Sequence, residues 1–398
     1  MEKTVCELFA GVGGFRLGLE RSSPDWNTVW FSQWEPNKVK QWARACYVSH
    51  WGDIDNNTGI DITLVPKEDI PNHNLLVGGF PCQDYSVARP LPGSNGLEGK
   101  KGVLWWQIRD VLIAKESPFV LLENVDRLIK SPASQRGRDF GVMLACFAEL
   151  GYSVEWRVIN AADYGASQRR RRIFIFAYKN NTRYAENTVE SPEHIVKESG
   201  FFANTFPLDD FTRVKTVDIN YTDLPELSAT FQFNFENAGY MKNGKVYTAK
   251  VTPVFEEATP LRALLERNVA NSYYLGERLE KWKYLKGAKK LERTSKDGHK
   301  YIFSEGGIAF PDSIDLPART MLTSESSVNR STHVIQDPQT DRLRLITPIE
   351  AERIQGFEDN WTNTGMPEKF RYFTMGNALV VPMVTRMGRT LSRIFENE

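Results

Sequence analysis

The chain is poor in cysteine, has no excess of either charge and lacks long apolar runs. Only four cysteines, Cys6, Cys46, Cys82 and Cys146, occur in 398 residues. They are scattered, without the close pairs that hold a metal and without a disulfide framework. That excludes a disulfide-stapled secreted fold, and reduced thiols in a cytoplasmic setting are expected. Lysine plus arginine and aspartate plus glutamate number 50 each. This balance excludes nucleic-acid binding by bulk charge and leaves room for a local patch. Apolar runs such as Phe119 to Leu122 and Ile173 to Ala177 fall far short of a membrane span, so no membrane partner is expected. The sequence enters a strand-like segment directly after Glu2, which gives no expectation of a signal peptide. Repeats and low-complexity segments are missing as well.

What is there is an ordinary soluble composition, 41% hydrophobic and 25% charged, long enough for two domains and a large core. Between Thr4 and Tyr178 short apolar runs alternate with helical stretches. Strands are predicted at Val5 to Phe9, Thr28 to Gln33, Leu75 to Val77, Phe119 to Leu122, Val154 to Asn160 and Ile173 to Ala177. Helices are predicted at Gly14 to Arg21, Lys38 to Val48, Leu104 to Ala114 and Gly141 to Leu150. Such alternation implies a parallel sheet covered on both faces. After Tyr178 the sequence turns polar and irregular to about Asn271, and helix returns at Pro348 to Gln355 and Asn377 to Ile394. The last helix is expected to return to the first domain.

Several stretches carry chemistry. Phe9-Ala10-Gly11-Val12-Gly13-Gly14 follows the first strand and opens a helix. By itself it is as much a tight strand–helix turn as a ligand cradle. Glu35 ends the second strand about 20 residues on, where a carboxylate can accept hydrogen bonds from ribose hydroxyls. Cys82 sits in Gly79-Phe80-Pro81-Cys82-Gln83, directly after a strand. Proline keeps the residue before it extended, and strand C-terminal ends in open α/β sheets face the ligand crevice. Glu123 follows an apolar run and also sits at a strand end. Gln168-Arg169-Arg170-Arg171-Arg172 precedes another strand, and alternation puts Gln168, Arg170 and Arg172 on one side. Lys281 to Lys300 holds eight lysines or arginines against Glu292 and Asp297. This basic run reads as a solvated helix face or as a set of phosphate contacts.

Thiol, carboxylate and arginines in that order resemble the DNA (cytosine-5)-methyltransferase family of the bacterial restriction-modification type. The resemblance runs from Val5 to about Arg386. It implies a Rossmann-like S-adenosylmethionine-dependent α/β core over 1–180 plus 366–398, with a second, smaller and irregular DNA-recognition domain over 181–365. Cys82 is then the nucleophile that adds to carbon 6 of a flipped-out cytosine, so that carbon 5 can take a methyl group. Glu123, held by Asn124, acts as a protonated carboxyl at ring nitrogen 3. Gln168, Arg170 and Arg172 match the family's Gln-x-Arg-x-Arg pattern, with Arg172 at cytosine oxygen 2 and Arg170 at a phosphate; Arg169 and Arg171 stay unassigned.

The resemblance also implies the ligand contacts. Phe9, Gly11, Gly13, Gly14, Glu35, Pro36, Asp53, Ile54, Phe80, Leu104, Asn377 and Leu379 would meet the cofactor, with Phe9 and Pro36 flanking adenine and Asp53 near its amino group. Gln83, Ser86, Lys289 and Lys290 would meet DNA, as would Lys100 or Lys101 on a closing loop. Asp84 and Tyr85 stand where the family more usually has a small residue and a phenylalanine. Pro317-Ala318-Arg319-Thr320 resembles the motif that braces the recognition domain. Double-stranded DNA, a restriction endonuclease acting separately, a monomeric state and no metal are the expected context. Two competing readings stand beside this one. An RNA cytosine-5 methyltransferase of the tRNA-type branch would carry a Cys-Phe-Thr motif, which is absent here. A catalytically silent DNA-binding relative is opposed by the intact Cys82, Glu123 and Arg172.

Overall fold

The computed structural model describes residues 1–54, 57–80, 104–295 and 298–398. Apolar five- to nine-residue runs form the strands β1 (Thr4–Leu8), β2 (Asn27–Ser32), β3 (Leu75–Gly79), β4 (Phe119–Val125), β5 (Tyr152–Asn160) and β6 (Arg171–Lys179). The amphipathic stretches between them form helices α1 (Gly14–Ser22), α2 (Trp42–Trp51), α3 (Leu104–Lys115) and α4 (Arg138–Glu149). Nine strands make one sheet in the order β2-β1-β3-β4-β6-β5-β8-β9-β7, where β7 is Leu208–Asp218, β8 Ala238–Lys242 and β9 Lys245–Pro253. The first four strands are parallel. The expected all-parallel arrangement stops there, because β6 runs antiparallel to both β4 and β5. Only residues 161–170 join β5 to β6. A parallel crossover needs a dozen or more residues, so this connection must reverse direction.

Two apolar layers cover the sheet. On one face lie α1 and the C-terminal segment, with Trp26, Phe119, Phe176 and Phe395 buried together. On the other lie α3 and α4, with Trp105, Phe140, Phe147 and Trp156. Burying such side chains is worth about 1.5–3 kcal/mol each, which makes these layers the main stabilising term.

The polar stretch after Tyr178 is less irregular than its sequence suggests. β7, β8 and β9 extend the main sheet through the β5–β8 pairing. β7 is an outermost strand with mostly exposed side chains, hence its polar composition. The β8–β9 turn holds Asn243 and Gly244 at φ 51° and 76°, the left-handed pair that a two-residue hairpin favours.

Residues 254–347 build a smaller unit from short helical turns, α5 (Leu279–Lys286), the hairpin β10 (Lys289–Thr294) with β11 (Lys300–Glu305), and the pair β12 (Val334–Gln336) with β13 (Leu343–Leu345). The basic run is therefore a short helix followed by a hairpin rather than one helix face.

Three helices close the chain: α6 (Pro348–Gln355), α7 (Glu368–Asn377) and α8 (Val381–Asn397). The helix expected from Asn377 to Ile394 starts at Val381, and Asn377 instead ends α7. Pro382 lies in the first turn of α8, a position where proline is well tolerated. α8 packs on α1, where a side chain at Gly18 would meet Val384 at 2.6 Å. The predicted start of α2 at Lys38 is also displaced. The Gln41 side chain accepts from Glu35 N at 2.7 Å and donates to the Glu35 and Lys38 carbonyls at 2.9 Å each, which closes residues 35–41 into a loop before the helix.

Candidate active site

The strand order reverses between β1 and β3, and both strands end at the same edge. This is the topological switch point where open α/β sheets bind ligands. On the β1 side the chain turns through three left-handed residues, Phe9 (φ 56°), Gly11 (φ 58°) and Gly13 (φ 86°). Gly11 N donates to Gln33 Oε1 at 2.7 Å, which ties the turn to the end of β2. The glycines serve different purposes. A side chain at Gly13 would collide with Trp51, and one at Gly14 would press on Leu379 at 3.1 Å. Only at Gly11 among these three is the space open, with nothing within 4 Å. Gly11 is thus where backbone can approach a ligand, while Gly13 and Gly14 are needed for packing.

Glu35 lies half-buried just past β2. Burial raises its carboxyl above the ordinary range, against the Ala43 backbone N–H and the Lys38 charge. Pro36 beside it is exposed. Asp53 is otherwise engaged. Both its oxygens lie 2.7 Å from Arg44 Nη2, and Thr58 Oγ1 donates to it at 3.2 Å. Ile54 and Leu104 are half-buried, Asn377 is exposed and Leu379 is buried. Beneath the turn, Glu7 is a charged residue that sequence reasoning passed over. It is buried, accepts from Tyr47 Oη at 3.1 Å, and burial pushes its carboxyl up to about 7. Its signal was a lone acid inside the apolar run Val5-Cys6-Glu7-Leu8.

On the β3–β4 side two of the residues expected to act together, Glu123 and Arg172, meet. Glu123 pairs in register with Gly79, and a side chain at Gly79 would lie 3.2 Å from Glu123 Oε2. Glycine is thus what leaves room for the carboxylate. Arg172 Nε lies 2.7 Å from Glu123 Oε1, with both side chains largely buried. Asn124, the residue after Glu123, is buried. Its Nδ2 donates to Phe80 O at 2.9 Å, so it fixes the chain two residues before Cys82. Cys82, Gln83, Asp84, Tyr85, Ser86, Lys100 and Lys101 lie outside the described residues.

Gln168 and Arg170 turn out to be braces. Gln168 is fully buried, bridges to Ala318 and accepts from Met321 N at 3.2 Å. Around it, Ala318 N donates to Ser167 O and Arg169 N to Ala318 O, each at 2.8 Å. Arg170 is buried and donates to Met321 O at 3.0 Å and to Gly376 O at 2.9 Å. Desolvation, helped by the charge of Arg172, pulls its guanidinium down to about 9. An arginine spent on two interior carbonyls has no surface for the phosphate expected of it. The alternation was right, but only Arg172 of the three faces the carboxylate.

Lys289 departs from expectation in the same way. Its ammonium donates to Leu285 O at 3.1 Å, lies 3.7 Å from Glu305 and covers the Tyr284 ring at 4.6 Å. Lys290, by contrast, is exposed on β10.

Comparison with known proteins agrees with this geometry. The family model described as C-5 cytosine-specific DNA methylase matches residues 3–393. The type II methyltransferase M.Sau3AI of Staphylococcus aureus is 52% identical over 98% of this chain and 95% of its own length. The type II methyltransferase M.NgoBI of Neisseria gonorrhoeae is 36% identical over 46% of this chain and 52% of its own. Among solved structures, the S. pombe Dnmt2 methyltransferase superposes with a TM-score of 0.59 over 99% of this chain and 98% of that one, at 16% identity. That likeness is one of fold.

Proposed function

The chain belongs to the C-5 cytosine-specific DNA methylase family and carries out S-adenosylmethionine-dependent methylation of cytosine in DNA; on that premise we propose how its own residues perform it. The observation that carries the reading is the cluster at the strand ends. Glu123 sits opposite Gly79 with Arg172 on it, and Asn124 anchors Phe80, the residue before Pro81 and Cys82 in the sequence.

When bound, S-adenosylmethionine would supply an electrophilic methyl group on its sulfonium, the methyl–sulfur bond breaking to leave the neutral thioether S-adenosylhomocysteine. Gly11 gives the open backbone approach and Glu35 the carboxylate for ribose hydroxyls. The Cys82 thiolate forms a bond to carbon 6 of the extruded base, which places electron density on carbon 5. Glu123 holds a hydrogen against ring nitrogen 3 and so drains charge from the adduct. Arg172, already on Glu123, orients that carboxyl and meets oxygen 2. Carbon 5 gains the methyl group and loses its proton to a base, and the carbon 6–sulfur bond then breaks to return the thiolate. Cofactor contacts at Phe9, Pro36, Ile54, Phe80, Leu104 and Asn377, and DNA contacts at Gln83, Ser86 and Lys290, belong to the same proposal.

Recognition of the DNA sequence falls within residues 181–365, and within them to the 254–347 unit. Its β10–β11 hairpin presents Lys290, Arg293, Lys300 and Tyr301 to solvent, a mix of cations for phosphates and an aromatic edge for bases. The enzyme acts as a cytoplasmic monomer beside a separate restriction endonuclease. Among the described residues no helix is long and apolar enough to cross a membrane. Transfer of labelled methyl from S-adenosylmethionine to duplex DNA, with bisulfite sequencing of the product, tests the assignment. Label on adenine, or on RNA in preference to duplex DNA, would overturn it.

A further inference from the structure

Beyond Arg172 the same edge of the sheet continues across β6, β5, β8, β9 and β7. There it forms a cleft of about 330 Å³. Register puts this cleft on the catalytic side. Arg172 pairs with Val125 and Arg171 with Asn160, while Arg157 pairs with Ala238, Ala238 with Ala249, and Lys250 with Thr212. The cleft therefore opens at the strand ends that also carry Glu123 and Arg172.

Lys130, Arg213 and Lys250 line the cleft, are exposed, and have no ion-pair partner among the described residues. Arg171 stands beside them, 60% exposed and 3.2 Å from Asp126. The other acids of the lining are already satisfied. Glu236 pairs with Lys215 at 2.5 Å, and Asp163 accepts from Asn160 at 2.7 Å. Arg157 closes the wall but is buried and donates to Phe206 O at 3.1 Å and Val196 O at 2.9 Å, so it is a brace and not one of the free cations.

Backbone geometry singles out Arg213. The β7–β9 register slips between Thr212 and Lys215, and Arg213 has φ 51°. A bulge releases a residue from the ladder and re-aims its side chain, and bulges gather next to active sites. An arginine in the left-handed region is strained, and such strain persists where the position serves a function.

We propose that this cleft is a phosphodiester-binding site for the same DNA duplex, beside the target base and lined by no residue of the 254–347 unit. The inference rests on the reading of the chain as a DNA cytosine methylase. Free cations in a row match a polyanion, and phosphate contacts position a duplex without reading its sequence. The site also gives Arg171, unassigned by sequence, a place at the cleft's rim.

The test is association of the full chain with a short duplex of random sequence, measured across a range of salt. Lys130→Gln/Arg213→Gly/Lys250→Gln is expected to lower the slope of log K against log salt by about 0.9 for each phosphate that is no longer neutralised. The Michaelis constant for DNA should rise more than kcat falls. Arg213→Gly alone guards against misfolding, because glycine relaxes the left-handed backbone while removing the charge. Arg213→Lys should restore the slope. An unchanged slope and unchanged DNA affinity in both variants would overturn the site while leaving the methylase reading intact. Failure of the parent chain itself to bind or methylate duplex DNA would instead overturn that reading.

Discussion

Replacing Arg170 distinguishes a brace from a phosphate ligand. Its guanidinium is about 1% exposed and donates two hydrogen bonds, to Met321 O and Gly376 O. Hydrogen bonds from a charged group contribute about 1.5–3 kcal/mol each, and loss of one partner from a buried pair leaves the other unsatisfied. Part of that gain is offset by the cost of burying the charge, seen in the depression of the group to about 9. Arg170→Ala should therefore destabilise the protein by about 3–5 kcal/mol, the range for breaking a buried charged contact. Arg170→Met, which fills the space without the donors, should recover part of the stability. Thermal denaturation measures the first effect, and the salt dependence of DNA association measures the alternative. A brace lowers the melting temperature and leaves the salt slope of the folded fraction unchanged. A flattened salt slope in a variant that melts like the parent would refute the argument.

Three other outcomes are expected. Cys82→Ala should abolish methyl transfer while cofactor binding stays close to the parent's. DNA carrying 5-fluorocytosine should trap the parent covalently, since fluorine cannot leave carbon 5 as a proton does; measurable turnover by the alanine variant would remove Cys82 as nucleophile. Glu123→Gln should slow the single-turnover rate by about 10²–10⁴, the usual worth of a general acid, with little change in cofactor affinity. Glu7 should make stability fall between pH 4.5 and about 7, because burial lets the folded protein keep a proton that the unfolded chain has already lost. Its contribution is fully present below 4.5 and is lost as pH rises through 7. Glu7→Gln should remove up to about 3 kcal/mol of that slope in melts across the range; an unaltered pH profile would mean that Glu7 is hydrated.

The alternating half of the fold was legible because β1 to β6 are apolar runs buried on both faces and the helices between them are amphipathic. What stayed hidden has local physical causes. β7 is polar because it is an outermost strand, so its composition reads as loop. The Asn243-Gly244 turn was a usable hairpin signal between two alternating segments, and it went unread. In the loop at residues 35–41, Pro36-Asn37 marks a turn, with Asn37 at φ 62°, but the closure by the Gln41 side chain has no local signal. At the site, residue type and strand-end position were enough to bring Glu123 and Arg172 together. They could not separate Arg170 from Arg172, because alternation gives a side of the strand but not what covers each position. Only the long-range hydrogen bonds of Arg170 to Met321 and Gly376 make that distinction.

Those hydrogen bonds explain why five consecutive residues do two kinds of work. Gln168 and Arg169 are zipped to Ala318 and Met321 of the smaller unit, and Arg170 reaches Gly376 at the end of α7. A side chain at Gly376 would overlap the Leu322–Thr323 backbone, so this junction is tight. Three residues further on, Leu379 packs against Gly14 of the glycine turn. Arg172, two residues after the brace, holds Glu123. Residues 168–172, the end of the β5–β6 connection and the start of β6, thus tie the 254–347 unit, the glycine turn and Glu123 together. Sites supported in this way keep their geometry within the narrow tolerance that chemistry needs. A substitution at the Gly376 junction should therefore disturb cofactor binding and base chemistry together, although Gly376 itself touches neither Gly14 nor Glu123.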